Sequence, residues 1–78
     1  MLDTKAMDAA MNAHSRTECE LIGVARAVVS ERHTAMLPAL IDTLARAVEA
    51  EQVAYAAMQA EREKLIADFD RSVNGART

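Results

Sequence analysis

An all-α fold, a two-helix antiparallel hairpin, is what this sequence predicts, on three observations. From Leu37 to Phe69 large side chains recur at alternating steps of four and three, the repeat of a long amphipathic helix with a coiled-coil-like seam. Residues 5–32 contain no proline and a single glycine, which favours a second long helix. Between the two lies Pro38, which cannot donate a backbone hydrogen bond. Together these features predict helices over about residues 4–32 and 36–72.

The first helix can begin at Asp3 or Thr4, since both are good N-cap residues. Its apolar face becomes bulky only from Leu21 onward, so we expect the first turns to be held more loosely than the rest. Gly23 costs about 1 kcal/mol relative to alanine inside a helix, which suggests a bend or a close helix crossing there.

The chain is expected to turn at residues 33–36. Thr34 can cap the second helix, with Pro38 inside the first turn, where the missing amide is tolerated. A short connection favours antiparallel neighbours. The segment lacks the glycine or asparagine that usually ends a helix, so a kinked continuous helix is the alternative.

The second helix supplies most of the predicted core, and Asn74-Gly75 is expected to end it, leaving a frayed tail at about 74–78. We take residues 1–78 as a single domain. If the turn centres near residue 34, opposed residues have numbers that sum to about 69, which places His14 opposite Tyr55. The predicted core seam comprises Val28, Leu37, Ile41, Leu44, Val48, Tyr55, Met58, Leu65 and Phe69.

Beside this seam runs a second row of mostly small residues, which gives the helix a wider apolar arc than one partner helix covers. A chain of 78 residues has a marginal core, so we expect two hairpins to form a homodimeric four-helix bundle. Glu51 and Arg62 interrupt the seam and can pair between two copies. The alternative is that the alanines serve only helix propensity and the two charges lie at the edge. The predicted partner or dimer interface comprises Met36, Leu40, Ala47, Ala50, Glu51, Ala54, Ala57 and Arg62.

Composition excludes several classes of function. The net charge is −3, with acids and bases interleaved and only two aromatic residues, so neither a basic stripe nor a stacking platform for nucleic acid is present. No apolar stretch approaches 18 residues, and the N-terminus lacks the pattern of a signal peptide, so we expect neither membrane insertion nor export. A cytoplasmic location is expected, and the lone Cys19 agrees with a reducing compartment.

Candidate chemistry is sparse. His14 and Glu18 lie four residues apart, a spacing that can place two ligands on one metal, with Cys19 adjacent and His33 near the turn. Pairs typical of metal bundles, such as Glu-x-x-His or Cys-x-x-Cys, are missing, and no glycine-rich loop or nucleophile with a base is recognisable. We therefore expect no metal, no cofactor and no enzymatic activity.

The function predicted from these observations is that of a small acidic, non-enzymatic protein-binding module acting through helix–helix contacts, as an inhibitor or adaptor of another protein. Phage or mobile-element inhibitors and secretion chaperones have this build, which is an analogy of shape. The first alternative is a self-assembling structural subunit. The second is a metal-binding helical bundle in which His14 is a ligand.

Overall fold

Two antiparallel helices joined by a tight turn make up the fold, as the sequence predicts. In the computed structural model, which describes residues 3–76, α1 spans Lys5–Ser30 and α2 spans Leu37–Ala76. No strand occurs within the described range, and the two helices pack along their length. The all-α hairpin is therefore confirmed, and the kinked continuous helix is excluded.

Side chains predicted to cap the helices satisfy exposed amides at both starts. The N-cap residue of α1 is Thr4, whose side chain makes no cap hydrogen bond, and the Lys5 amide donates instead to Asp3 Oδ1 at 2.9 Å. In the turn, the Met36 amide donates to Thr34 Oγ1 at 3.2 Å, and the Leu37 amide donates to the Thr34 carbonyl at 3.3 Å. Pro38 is the second residue of α2, where its missing amide leaves no helical hydrogen bond unmade.

The C-terminal end of α2 lies beyond the predicted end. The helix continues through Asn74 and Gly75 to Ala76, four residues later than expected, and no residue in the described range has a positive φ. Asn74-Gly75 thus does not act as a left-handed stop here. Residues 77 and 78 of the predicted tail lie outside the described residues.

The seam between the helices consists of half-buried residues at alternating steps of three and four. Among residues 3–75, whose side chains are described, none is fully buried. Two helices cannot enclose a side chain on all sides, so each seam residue keeps an exposed edge. The α1 seam residues are Met7, Ala10, His14, Thr17, Leu21, Val24 and Val28, continued by the C-cap residue Glu31, and the α2 seam residues are Leu37, Leu40, Leu44, Ala47, Glu51, Ala54, Met58, Glu61 and Leu65.

This seam has a different phase from the predicted one. Val28, Leu37, Leu44, Met58 and Leu65 lie in it as expected, and Val48 is half-buried beside it. Three large residues assigned to the core are instead about half exposed, namely Ile41 at 52%, Tyr55 at 47% and Phe69 at 54%. Leu40 and Ala54 take the places of Ile41 and Tyr55 in the seam, Ala47 lies in it next to Val48, and no neighbour takes the place of Phe69.

The hairpin is a rod rather than a globule. It measures 67 × 14 × 13 Å, and its radius of gyration is 18.6 Å, against about 11.5 Å for a compact domain of this length. Its accessible surface is 6021 Å², while a compact monomer of 8.5 kDa exposes about 4,700 Å². The single hairpin therefore leaves over 1,000 Å² exposed that a compact fold would bury.

Candidate functional site

Three ligating side chains converge on one point of the seam. His14 Nε2 lies 2.8 Å from Glu51 Oε1, and the same nitrogen lies 3.5 Å from Glu18 Oε1. The ligating atoms of the three residues all lie within 4.8 Å of one another. The cluster joins the middle of α1 to the middle of α2.

Helical spacing produces this arrangement. His14 and Glu18 lie one turn apart on α1, so their side chains share one face. Glu51 comes from the seam of α2, on the helix packed against that face. The His14 side chain is 12% exposed and that of Glu51 23%, whereas that of Glu18 is 54% exposed. The cluster is therefore closed on the seam side and open to solvent on the Glu18 side.

Neighbouring groups hold the histidine in place. The Tyr55 ring lies 5.4 Å from the His14 ring, centroid to centroid, at an angle of 55°. The Thr17 hydroxyl donates to the His14 carbonyl at 2.8 Å, within the same turn of α1. The contact with Tyr55 is the His14–Tyr55 neighbourhood expected from the antiparallel register.

The cluster also explains why a glutamate lies in the seam. A charge at a packed position is costly unless it is paired, and Glu51 has a polar partner on the opposite helix of its own chain. Arg62, the other residue that interrupts the predicted seam, is exposed on α2. Sequence spacing pointed to His14 and Glu18, but it did not place Glu51 beside them. Two features of the sequence could have located Glu51: the antiparallel register, in which opposed residue numbers sum to about 69, and the charged residue at position 51 of an otherwise apolar row.

A second feature is a row of large exposed side chains on one side of the hairpin. Ile41, Tyr55 and Phe69 each follow a seam residue of α2 by four positions, and Met11 does the same on α1. In an antiparallel pair these positions lie on the same side of the seam. Ile22 and Val29 continue this surface around α1. We call it the apolar flank, made of Met11, Ile22, Val29, Ile41, Tyr55 and Phe69, each 47–58% exposed.

The opposite side of the hairpin carries alanines. Ala13 and Ala27 on α1, and Ala50 and Ala57 on α2, each precede a seam residue by four positions. We call these four residues the small-residue flank. The α2 members are exposed, and the α1 members are half-buried. The two sides therefore differ in side-chain size.

The predicted interface residues divide between these surfaces. Met36 is 57% exposed in the turn, and Ala50, Ala57 and Arg62 are exposed on α2. The remaining four, Leu40, Ala47, Glu51 and Ala54, are half-buried in the seam against α1. A surface for another chain therefore contains only part of the predicted set.

The other residues with chemical potential lie apart from the cluster. Cys19 is exposed, and His33 Nε2 accepts a hydrogen bond from Arg32 Nε at 3.3 Å in the turn. A shallow pocket of about 100 Å³ lies near the open end of the hairpin, below the roughly 300 Å³ at which ligand pockets begin. It is lined by Asp3, Met7, Glu61, Lys64, Leu65 and Asp68.

No family model, curated protein or solved structure matches this chain. Within residues 3–76, neither helix combines the length with the apolar character needed to cross a membrane.

Proposed function

We propose that this chain is a non-enzymatic protein-binding module that acts through helix–helix contacts, and that its apolar flank binds a second copy of the chain. The observation that carries this proposal is the exposure of that flank. Six large apolar side chains lie on one side of a hairpin with no fully buried residue in its described part. Scattered exposed apolar residues are ordinary, but several large ones on one side of so small a hairpin are typical of an interface, and Glu18 and Arg62 add charges to the same side.

The exposed surface of the hairpin is large enough to include a dimer interface. A stable interface of standard size buries about 800 Å² on each partner. The hairpin exposes about 1,300 Å² more than a compact monomer of its mass, so one such interface can be formed entirely from this excess. At about 25 cal/mol per Å² of apolar surface, burial of this flank is a substantial stabilising contribution.

The elongated shape of the hairpin is also suited to a dimer. Two hairpins laid flank to flank give four roughly parallel rods, the arrangement of a four-helix bundle. In that bundle Ile41 and Tyr55 acquire neighbours on their exposed side, while the in-chain seam stays as it is. The small-residue flank stays outside the bundle.

That remaining flank suggests how the module meets another protein. Ala50 and Ala57 leave small gaps on either side of the exposed Val53, and large side chains of a foreign helix can pack into them. An amphipathic helix with large apolar residues complements such a surface. By covering a helix of this kind, the dimer would act as an inhibitor or adaptor of its partner.

The test is the mass in solution measured by analytical ultracentrifugation as the protein concentration rises. Wild-type protein is expected to sediment as a dimer, and Ile41→Asp as a monomer with reduced helicity. Val53→Asp is the matched control, because Val53 is the most exposed large apolar residue, at 72%, and lies away from the flank. A monomeric wild type, or equal dissociation by Val53→Asp, would contradict the proposed dimer.

The structure also favours one alternative, a self-assembling structural subunit, because the hairpin has an unpartnered flank on each side. In that case the mass would keep rising beyond that of a dimer. Ala50→Glu would then stop growth at the dimer, whereas it leaves the mass unchanged if the dimer is the final assembly.

A further inference from the structure

The polar cluster in the seam has the composition and the spacing of a metal site. We infer that His14, Glu18 and Glu51 bind one divalent transition-metal ion of the zinc class per chain. His14 supplies Nε2, and each glutamate supplies a carboxylate oxygen. This activity is distinct from the proposed binding of a second copy, but it uses the same side of the hairpin, because Tyr55 belongs to the apolar flank and Glu18 follows the seam residue His14 by four positions.

The distances between the ligating atoms are close to those of a metal site. Zinc binds imidazole nitrogen and carboxylate oxygen at about 2.0–2.2 Å, so donors on a tetrahedral ion lie about 3.3–3.6 Å apart. The separation of His14 Nε2 from Glu18 Oε1, 3.5 Å, lies within that range, and its separation from Glu51 Oε1, 2.8 Å, is about 0.5 Å shorter. A small side-chain rotation of Glu51 therefore brings its oxygen to the distance that a shared ion requires.

Burial supports the same assignment. His14 and Glu51 are held in the seam and have little freedom, so most of the ordering that a bound ion requires has already occurred. Glu18 is more exposed and can move toward or away from the ion. Solvent on the Glu18 side can supply the fourth ligand, as water does at many three-ligand zinc sites.

The donor set selects the class of ion. Imidazole suits zinc and its first-row neighbours, whereas calcium and magnesium prefer six or more oxygen ligands. Two carboxylates facing one imidazole also place negative charge where a divalent cation is stabilised. The Tyr55 ring packs beside the imidazole and helps to keep it in a ligating orientation.

A bound ion would link α1 to α2 within one chain. The three ligands come from both helices, so the folded hairpin binds the ion and the unfolded chain does not form the site. Zinc at 100 times its dissociation constant is then expected to raise Tm by about 10–20 °C. Thermal unfolding thus gives a readout that does not depend on any activity.

The experiment is zinc titration of the full chain by calorimetry, in a Cys19→Ser background so that the exposed thiol cannot bind the ion. We expect one ion per chain, a higher Tm and no competition from excess magnesium. Glu18→Gln and Glu51→Gln keep the shape of each side chain and remove a ligand charge, and each is expected to weaken binding at least about tenfold. Because Glu18 is exposed, its variant tests the site without risk to folding.

Matched controls are Glu20→Gln, an exposed glutamate of α1 outside the cluster, and His33→Ala, which removes the other histidine. Both are expected to bind zinc as the parent does. Absence of binding in the parent, or equal binding by Glu18→Gln and Glu51→Gln, would overturn the assignment and leave the cluster as a histidine–carboxylate contact. Loss of zinc binding in His33→Ala would show that the ion is bound at the turn, and this result would also overturn the assignment.

Discussion

The two ends of the in-chain seam differ sharply in chemistry. Next to the turn, the seam is mostly aliphatic, with Leu21, Val24, Val28, Leu37, Leu40 and Leu44 beside Ala47 and the charged Glu31. Toward the open end it is mostly small, flexible or polar, with Met7, Ala10, His14, Thr17, Glu51, Ala54, Met58 and Glu61, and it ends at one large aliphatic residue, Leu65. We call these the turn half and the open half. The turn half buries mostly apolar side chains. The open half buries fewer apolar side chains and contains the polar cluster.

The apolar contacts and the ligating groups are separated along the length of this very small fold. Apolar burial stabilises by about 25 cal/mol per Å², so the turn half contributes most of the driving force for the hairpin. The open half contains the ligating groups, and its apolar contacts are fewer. Regions that bind ligands are often the less stable parts of a structure.

The largest expected effect is on the turn half. Leu44→Ala removes a large seam residue near Val24 and is expected to cost about 2 kcal/mol of unfolding free energy, the low end for leucine because the residue is only half-buried. Met58→Ala, in the same row fourteen residues later, is expected to cost about 1 kcal/mol, since its neighbours are smaller. Urea denaturation at one fixed protein concentration, followed by circular dichroism, measures both. Equal costs would remove the distinction between the halves.

The sequence predicted this fold well but predicted the seam only in part. Proline and threonine near the turn, and the long four–three repeat, were sufficient for two antiparallel helices. The choice between Leu40 and Ile41, Ala47 and Val48, or Ala54 and Tyr55 was not decided, because both rows are apolar and one step around the helix exchanges them. The prediction placed Ile41, Val48 and Tyr55 in the core, whereas the structure places Leu40, Ala47 and Ala54 in the seam, with Val48 half-buried beside it.

The cluster was missed for a different reason. His14 and Glu18 are visible from their spacing, and the third ligand, Glu51, was assigned to an interface instead. The residue at 51 lies in both possible seams, so it faces α1 under either assignment. The break that it makes in the apolar pattern was interpreted as a contact between two copies, and the structure instead shows its partner, His14, in the same chain.

A smaller effect is expected from making the open half resemble the turn half. The double change His14→Leu with Glu51→Leu replaces a half-buried polar pair by apolar contact and is expected to raise the free energy of unfolding by about 1.5 kcal/mol. Glu51→Leu alone leaves the histidine without this partner and is expected to gain less. Thermal unfolding without added metal measures both variants. A less stable double variant would mean that the polar pair itself stabilises the hairpin.

The smallest expected effect comes from exchanging glycine and alanine at two exposed positions of α1. The exchange tests whether the start of α1 is as stably helical as the region near the turn. Gly23 is exposed, and a Cβ built there meets no atom within 4 Å, so Gly23→Ala is expected to stabilise by about 0.8 kcal/mol through helix propensity alone. The reverse change in the open half, Ala9→Gly, is also at an exposed position. If the first turns open locally in the native state, their helix propensity affects global unfolding less, and the cost should be only about 0.3 kcal/mol. Denaturant unfolding of the two variants gives the comparison, and an Ala9→Gly cost as large as the Gly23→Ala gain would show that α1 is uniformly stable along its length.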